Sequence, residues 1–299
     1  LLFSSTLLAQ TNEAIFNHYT VDDGISQSSI SCILQDSEGY IWFGTQDGLN
    51  KFNGYSFERY YHNPLDSTSI SHAWIYAITE DEDGNIWIGT RGGLNKFDKK
   101  KVAFERFVAK PGVENSIYNN LVYGVVYHKN QLFINTHPVL NVLDIRSKQI
   151  TRYKNNITVE KKTSSYEKGT PILVDKKDNV WIASSSGLSK FNLSEKKFHN
   201  YIYNADDEGS IPYNLINAIY EDKQGEIWIG TTSGFCRYDA STDKFIRFDG
   251  KFRNNSVLSI LQDNNGNFWF GTFGGGLNLL VFDNSKTKII KQTNYSNNI

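Results

Sequence analysis

Four groups of side chains in this chain have types suited to chemistry, and the first three fail on spacing or context. The histidines, His18, His62, His72, His128, His137 and His199, include no close pair at metal-ligand spacing, so neither a metal nor a cofactor is expected. The acid-rich Asp81-Glu82-Asp83-Gly84 resembles part of a calcium loop, but its counterparts read Asp36-Ser37-Glu38-Gly39, Asp222-Lys223-Gln224-Gly225 and Asp263-Asn264-Asn265-Gly266. Only Asp and Gly recur, which is the composition of a hairpin turn rather than of a loop with ligating oxygens at alternate positions. Ser184-Ser185-Ser186 lacks the strand-to-helix elbow of a hydrolase nucleophile, and no catalytic residue is expected. What remains is a set suited to a polyhydroxylated ligand: His72, Trp74, Arg91, Tyr118, Asn120, His137, Tyr213 and Asn214. Flat aromatic faces beside amide, imidazole and guanidinium groups match sugar rings, whose apolar faces are rimmed by hydroxyls. The same residues would equally line and plug a wet central tunnel.

The elements that must position them come from a repeat. An Asp is followed six positions later by Trp and then by Gly-Thr: Asp36 to Trp42-Phe43-Gly44-Thr45, Asp81 to Trp87-Ile88-Gly89-Thr90, Asp222 to Trp228-Ile229-Gly230-Thr231, and Asp263 to Trp269-Phe270-Gly271-Thr272. A weaker copy runs from Asp175 to Trp181 with Ala183-Ser184 at its end, and Leu132-Phe133-Ile134-Asn135-Thr136 fills the one double gap with Phe133 in place of Trp. Six units of roughly 41 to 48 residues suit the four-stranded blades of a β-propeller. In the second unit, Trp74 to Glu80, Asn85 to Thr90, Leu94 to Asp98 and Phe104 to Phe107 read as four strands of an antiparallel meander. The strand from Asn85 to Thr90 has Ile86 and Ile88 on one face and Trp87 on the other, so both faces must be covered. The fold expected is all-β, with six repeats of a seven-bladed ring. Ile15 to Tyr19 matches fourth strands such as Phe57 to Tyr60 and is expected to close the ring as an outer strand. The long crossovers at 63–74, 110–120 and 204–214 then carry six of the eight candidate residues to one face, joined by Arg91 and His137 from shorter loops.

Composition narrows the partners. With 31 basic against 32 acidic residues there is no field to attract nucleic acid. Cys32 and Cys236 fall four repeats apart, too far to bridge, and read as small packed residues. Residues 1–10, apolar and small and ending in Ala9-Gln10, look like the remnant of a secretory signal, leaving 11–299 as an incomplete propeller segment that works outside the cytoplasm. No other stretch approaches the length of a membrane-spanning helix.

The phrase Asp-x-x-Gly-x-x-Trp-x-Gly-Thr-x-x-Gly-Leu-x-x-Phe resembles the two-component regulator propeller repeat. The resemblance covers nearly all of residues 15–295 and is weakest in the third and fourth units. It implies a periplasmic sensor segment of a hybrid two-component system, reading an oligosaccharide and controlling a histidine kinase further along the parent chain. The partners it implies are the oligosaccharide, the remaining domains of that sensor and a second copy of the full-length protein. A free-standing secreted propeller, acting as an interaction scaffold or as a carbohydrate-active enzyme, is the alternative.

Each recurrent Trp reads as core, since burying one removes about 150–250 Å² from water. Trp87→Ala is therefore expected to destabilise the fold by about 3–5 kcal/mol in urea unfolding; an unchanged transition midpoint would contradict that role.

Overall fold

The computed structural model describes residues 16–157, 169–184, 186–248, 250–252 and 254–295. The stretch read as a signal remnant lies outside the described residues, as does Ile15. Blade 1 comprises β1 (Ile30–Gln35), β2 (Ile41–Thr45), β3 (Gly48–Phe52) and β4 (Phe57–Tyr60), and blade 2 comprises β5 (Ile75–Glu80), β6 (Ile86–Thr90), β7 (Gly93–Asp98) and β8 (Ala103–Phe107). Blade 3 is β9 (Gly124–His128), β10 (Gln131–Asn135), β11 (Val139–Asp144) and β12 (Ile150–Lys154); blade 4 is β13 (Ile172–Val174), β14 (Asn179–Ser184), β15 (Gly187–Asn192) and β16 (Lys197–Tyr201). Blade 5 is β17 (Ile216–Glu221), β18 (Ile227–Thr231), β19 (Gly234–Asp239) and β20 (Lys244–Phe248), and blade 6 is β21 (Val257–Gln262), β22 (Phe268–Thr272), β23 (Gly276–Phe282) and β24 (Ile289–Asn294). Each blade is an antiparallel meander in chain order. The first strands of successive blades touch one another, from β1 through β21. The all-β propeller with six four-stranded blades is thus the fold, and the weak third and fourth units form full blades.

The Asp of the repeat does more than turn the chain. Its Oδ2 accepts the indole N–H of the Trp six residues on, at 2.8 Å for Asp36–Trp42, 2.7 Å for Asp81–Trp87, 2.8 Å for Asp175–Trp181, 3.0 Å for Asp222–Trp228 and 3.1 Å for Asp263–Trp269. Its Oδ1 accepts the backbone N–H groups two and four residues on, as in Asp81 with Asp83 and Asn85 at 3.1 and 2.9 Å. The hairpin closes when Gly84, at φ +77°, donates its N–H to the Asp81 carbonyl. These carboxylates are therefore committed to internal donors. A buried indole N–H needs a partner, and blade 3 shows the two go together. There a two-residue turn, Lys129-Asn130 with both φ values positive, replaces the Asp turn, and Phe133, which has no N–H to satisfy, replaces Trp.

Packing between blades uses both faces of each second strand, as β6 requires. Ile86 and Ile88 join Trp42 and Leu49 of blade 1, while Trp87 joins Val122, Val125 and Leu132 of blade 3. Phe133, Trp181 and Trp228 likewise face blades 4, 5 and 6. The Gly of Gly-Thr is needed for this approach: a Cβ on Gly89 would lie 2.8 Å from Val122, and one on Gly230 2.7 Å from Val257. The departure in blade 4 is harmless, because Ser184 Oγ donates to the Gly187 carbonyl as Thr90 Oγ1 does to Gly93. Trp269 has no described blade beyond it; it is half-buried and stacks on Tyr295 at 5.7 Å. Phe16 to Thr20 join none of the six sheets, although Phe16 packs edge-on against Tyr295 at 5.9 Å.

Hydrogen bonds and ion pairs between blades complete the turns. Glu80 of blade 2 accepts the Ser37 N–H of blade 1 at 2.7 Å, and Glu221 and Gln262 do the same for Lys176 and Lys223 at 3.0 Å each. Where the residue four after the Asp is Asn, its Nδ2 donates to the carboxylate, as at Asn85, Asn179 and Asn267. Where it is Tyr40 or Glu226, a lysine from the next blade replaces it: Lys99 on Asp36 and Lys286 on Asp222. Burial alone would push the Asp222 carboxyl up, but Lys286, the Trp228 indole and the Glu226 amide outweigh it, and its pKa falls below the usual range. A depressed carboxyl contributes stability above its unfolded pKa of about 3.9 and loses it as pH falls through the folded value. Stability is thus expected to hold above about pH 5 and to decline below about pH 4. Asp222→Asn should be less stable at about pH 7 and lose less on acidification, as urea unfolding across that range would measure.

Candidate ligand-binding face

The crossovers that carry the candidate residues share one construction. Ile70, Ile117 and Ile211 are fully buried between blades and pin each loop at its middle. One residue earlier, Ser69, Ser116 and Ser210 accept the N–H that opens the loop, from Asn63, Lys110 and Asn204 at 2.9, 3.1 and 2.9 Å. An arginine on the fourth strand of the following blade then collects loop carbonyls. Arg106 Nε donates to Ser69 O at 2.9 Å and Nη2 to Asp66 O at 2.8 Å; Arg152 does so with Ser116 and Val113, both at 2.9 Å; Arg247 with Ser210 and Asp207 at 2.6 and 3.0 Å. These arginines were absent from the sequence-based set. Their signal was the recurrence of Arg one residue before the last aromatic of the fourth strand, in Arg106-Phe107, Arg152-Tyr153 and Arg247-Phe248.

A buried Asn on the third strand fixes the next step. Asn50, Asn95 and Asn141 accept the N–H of Ser26, Ser71 and Tyr118 at 2.8, 2.9 and 2.8 Å. In blade 5 the corresponding loop residue is Pro212, which has no N–H, and the strand residue is Cys236 rather than Asn. With no donor to satisfy, an apolar thiol costs nothing there.

The structure divides the eight predicted residues among separate groups. His72, Trp74 and Arg91 come together: the Arg91 guanidinium lies 5.1 Å over the Trp74 ring, Trp74 N–H donates to His72 Nδ1 at 2.9 Å, and His72 stacks on His62 at 6.2 Å. Burial, followed by the charges of His62 and Arg91, holds His72 below its ordinary pKa, so the imidazole is neutral at pH 7. Tyr118 and Asn120 line a second cleft of about 480 Å³ with Lys110, Pro111 and Arg152. Tyr118 is half-exposed, whereas Asn120 Oδ1 is used in accepting the Ala109 N–H at 2.7 Å. Tyr213, also half-exposed, lies 6.1 Å from Tyr203, and Asn214 Oδ1 accepts the Tyr203 N–H at 2.6 Å. His137 stands apart in the loop between β10 and β11; burial holds its pKa down, and its Nε2 is buried with no hydrogen-bond partner. Asn120 and Asn214 thus close loops, and the surfaces open to a ligand are those of Trp74 with Arg91, Tyr118 and Tyr213.

A family model described as two component regulator propeller matches residues 24–47, 69–92, 210–233 and 251–274, which are the repeats of blades 1, 2, 5 and 6. Over 66 residues, 22% of this chain, the sequence is 53% identical to histidine kinase P4 of Formosa agariphila, and this match spans 5% of that protein. Two solved extracellular domains ascribed to hybrid two component systems of B. thetaiotaomicron superpose with a TM-score of 0.67, each at 25% identity. They cover 88% and 90% of this chain, which spans 41% and 37% of theirs. Among the described residues no helix is long and apolar enough to cross a membrane.

Removing one crossover anchor tests how the face is held. Arg247→Ala strands several loop carbonyls and is expected to cost about 1–3 kcal/mol. Limited proteolysis of this variant should cut first within 204–214; unchanged cleavage kinetics would mean the arginine does not hold the loop.

Proposed function

We propose that this chain, a propeller built from two component regulator propeller repeats, is the signal-reading segment of a hybrid two-component regulator, works outside the cytoplasm and governs a histidine kinase further along the parent chain. The observation that supports this most is the likeness, across some nine-tenths of the chain, to extracellular domains of hybrid two component systems. The local identity to a histidine kinase points the same way. On this reading the segment itself performs no catalysis. Its partners are the remaining domains of the parent sensor and a second copy of that full-length protein.

The signal on this reading is an oligosaccharide held at the crossover face. Trp74, backed by Arg91, and the open rings of Tyr118 and Tyr213 offer flat surfaces to sugar rings. Neutral His72 and the Arg91 guanidinium supply hydrogen bonds to hydroxyls. Because each crossover is tied by arginine to the outer strand of its blade, a ligand spanning two crossovers favours one relative placement of two blades, which is the differential affinity a sensor needs.

Thermal unfolding of the purified chain against a panel of plant and algal oligosaccharides tests the ligand. One of them is expected to raise stability by about 2.7 kcal/mol at a hundredfold excess over Kd. Trp74→Ala and Tyr118→Ala should each weaken that response by about 2- to 10-fold while the unliganded transition stays in place. A stabilisation unaffected by both substitutions would remove the crossover face from the reading.

A further inference from the structure

The residue that leads each crossover into the next blade is held by the crossover itself, and the crossovers differ in what holds it. Two residues past the buried Ile117, Asn119 Oδ1 accepts the backbone N–H of Leu121 at 3.0 Å; before blade 6, Asn254 Oδ1 does the same for Ser256, again at 3.0 Å. Leu121 and Ser256 directly precede Val122 and Val257, the residues that pack on Gly89 and Gly230 of the preceding blade. Two residues past Ile70 the corresponding pair is His72 and Trp74. His72 Nδ1 accepts the Trp74 N–H at 2.9 Å, and Ile75, which follows, packs on Gly44. An imidazole thus stands where the other two crossovers carry an amide.

The two acceptors differ in one respect. An amide oxygen accepts at any pH, whereas Nδ1 accepts only while it keeps its lone pair. The bond therefore fixes the neutral tautomer with its proton on Nε2. A second proton turns Nδ1 into a donor facing a donor, and Trp74 is then held on one side only, where its carbonyl accepts the Arg91 N–H at 3.2 Å and its ring lies under the guanidinium.

The groups around His72 come from four segments. His62, which follows β4, stacks on it and donates its own Nδ1–H to the Ile70 carbonyl at 2.8 Å. Arg91 follows β6, and a Cβ on the adjacent Gly92 would lie 3.0 Å from that of His72. The acids of the neighbouring segments are Asp47, on the turn whose Gly48 donates to the Ala73 carbonyl at 2.8 Å, and Asp66, on the crossover itself and held by Thr68. Burial, then His62 and Arg91, oppose a charge on the His72 ring.

We infer that His72 is a proton-gated positioning residue for Trp74: neutral, it fixes the Trp74 backbone and with it the indole beside Arg91; protonated, it lets go. The crossover into blade 2 is thereby sensitive to acid where those into blades 3 and 6 are not. That a ligand stacked on Trp74 is then held less tightly in acid rests on the sensor reading; the latch itself does not.

NMR of the purified, ligand-free chain tests the latch apart from any sugar. Long-range proton–nitrogen spectra at about pH 7.5 are expected to place the His72 proton on Nε2. The latched form excludes a proton that the open form takes up, so opening gains up to about tenfold per pH unit once pH falls below the ordinary imidazole value of about 6.5. Between about pH 7.5 and 5.5 the Trp74 amide should accordingly lose protection against hydrogen exchange by up to about tenfold relative to the Leu121 amide. His72→Asn copies the crossover into blade 3 and should keep the Trp74 amide protected while removing its pH dependence; His62→Gln should retain that dependence. A His72 proton on Nδ1, a Trp74 amide that follows Leu121 throughout, or an unaltered pH dependence in His72→Asn would each overturn the inference.

Discussion

The hydrogen bond from a buried indole N–H to a buried aspartate, formed in five blades out of six, is the constraint on which the rest of this fold depends. An indole deep in a seam supplies the apolar area that holds two blades together, but only if its N–H finds an acceptor. An aspartate at the hairpin provides one, but only if its own charge is surrounded by donors. The repeat solves both needs within ten residues. One carboxylate oxygen takes the indole, the other takes two turn amides, and the remaining capacity is filled by an Asn four residues on or by a lysine from the neighbouring blade. Turn, strand and seam are thereby one cooperative unit, since loss of any member leaves a buried polar group unpaired.

The same economy extends to the opposite end of each blade. Thr90 holds the Gly93 carbonyl, Asn95 holds the entering crossover, and Arg106 holds the crossover's outer half. These bonds run mostly from side chain to backbone, so the crossover path is set by blade residues while the outward-facing loop side chains are left open to vary. That is why one scaffold can present His72 and Trp74 on one loop, Tyr118 on the next and Tyr213 on a third without changing the fold.

The fold was legible because its signals are periodic: the Trp spacing, the Gly that admits the next blade, and apolar residues on both faces of the second strand. The partners were less so. Asp36 to Gly39 reads as a turn and nothing in its composition reveals that Asp36 caps Trp42, although the constant separation of six was the available sign. The blades 3 and 4 that looked irregular proved regular, because Ser184 can replace Thr and Phe133 can replace a Trp that has lost its Asp. The candidate site was legible only as a list of residues sharing a face. Sequence could not show that Asn120 and Asn214 spend their acceptors closing loops, since that depends on the return path of the crossover toward Ala109 and Tyr203.

Internal repetition gives a way to separate structural change from functional change in such a chain. A departure from the repeat that is matched by a second departure at its contact partner needs no ligand: Cys236 answers Pro212, and Phe133 answers the missing Asp turn. Arg237 answers Glu226, the acid that stands where blades 2, 4 and 6 carry Asn, and Ala240 answers Asn179, which makes a bridging lysine unnecessary. The Trp228 opposite Arg237 keeps its Asp222 bond as the other blades do, and Asp175 is satisfied by Asn179 without the lysine that Ala240 omits. Unpaired buried donors are costly to keep in a folded chain, which is why departures from this repeat come in contacting pairs.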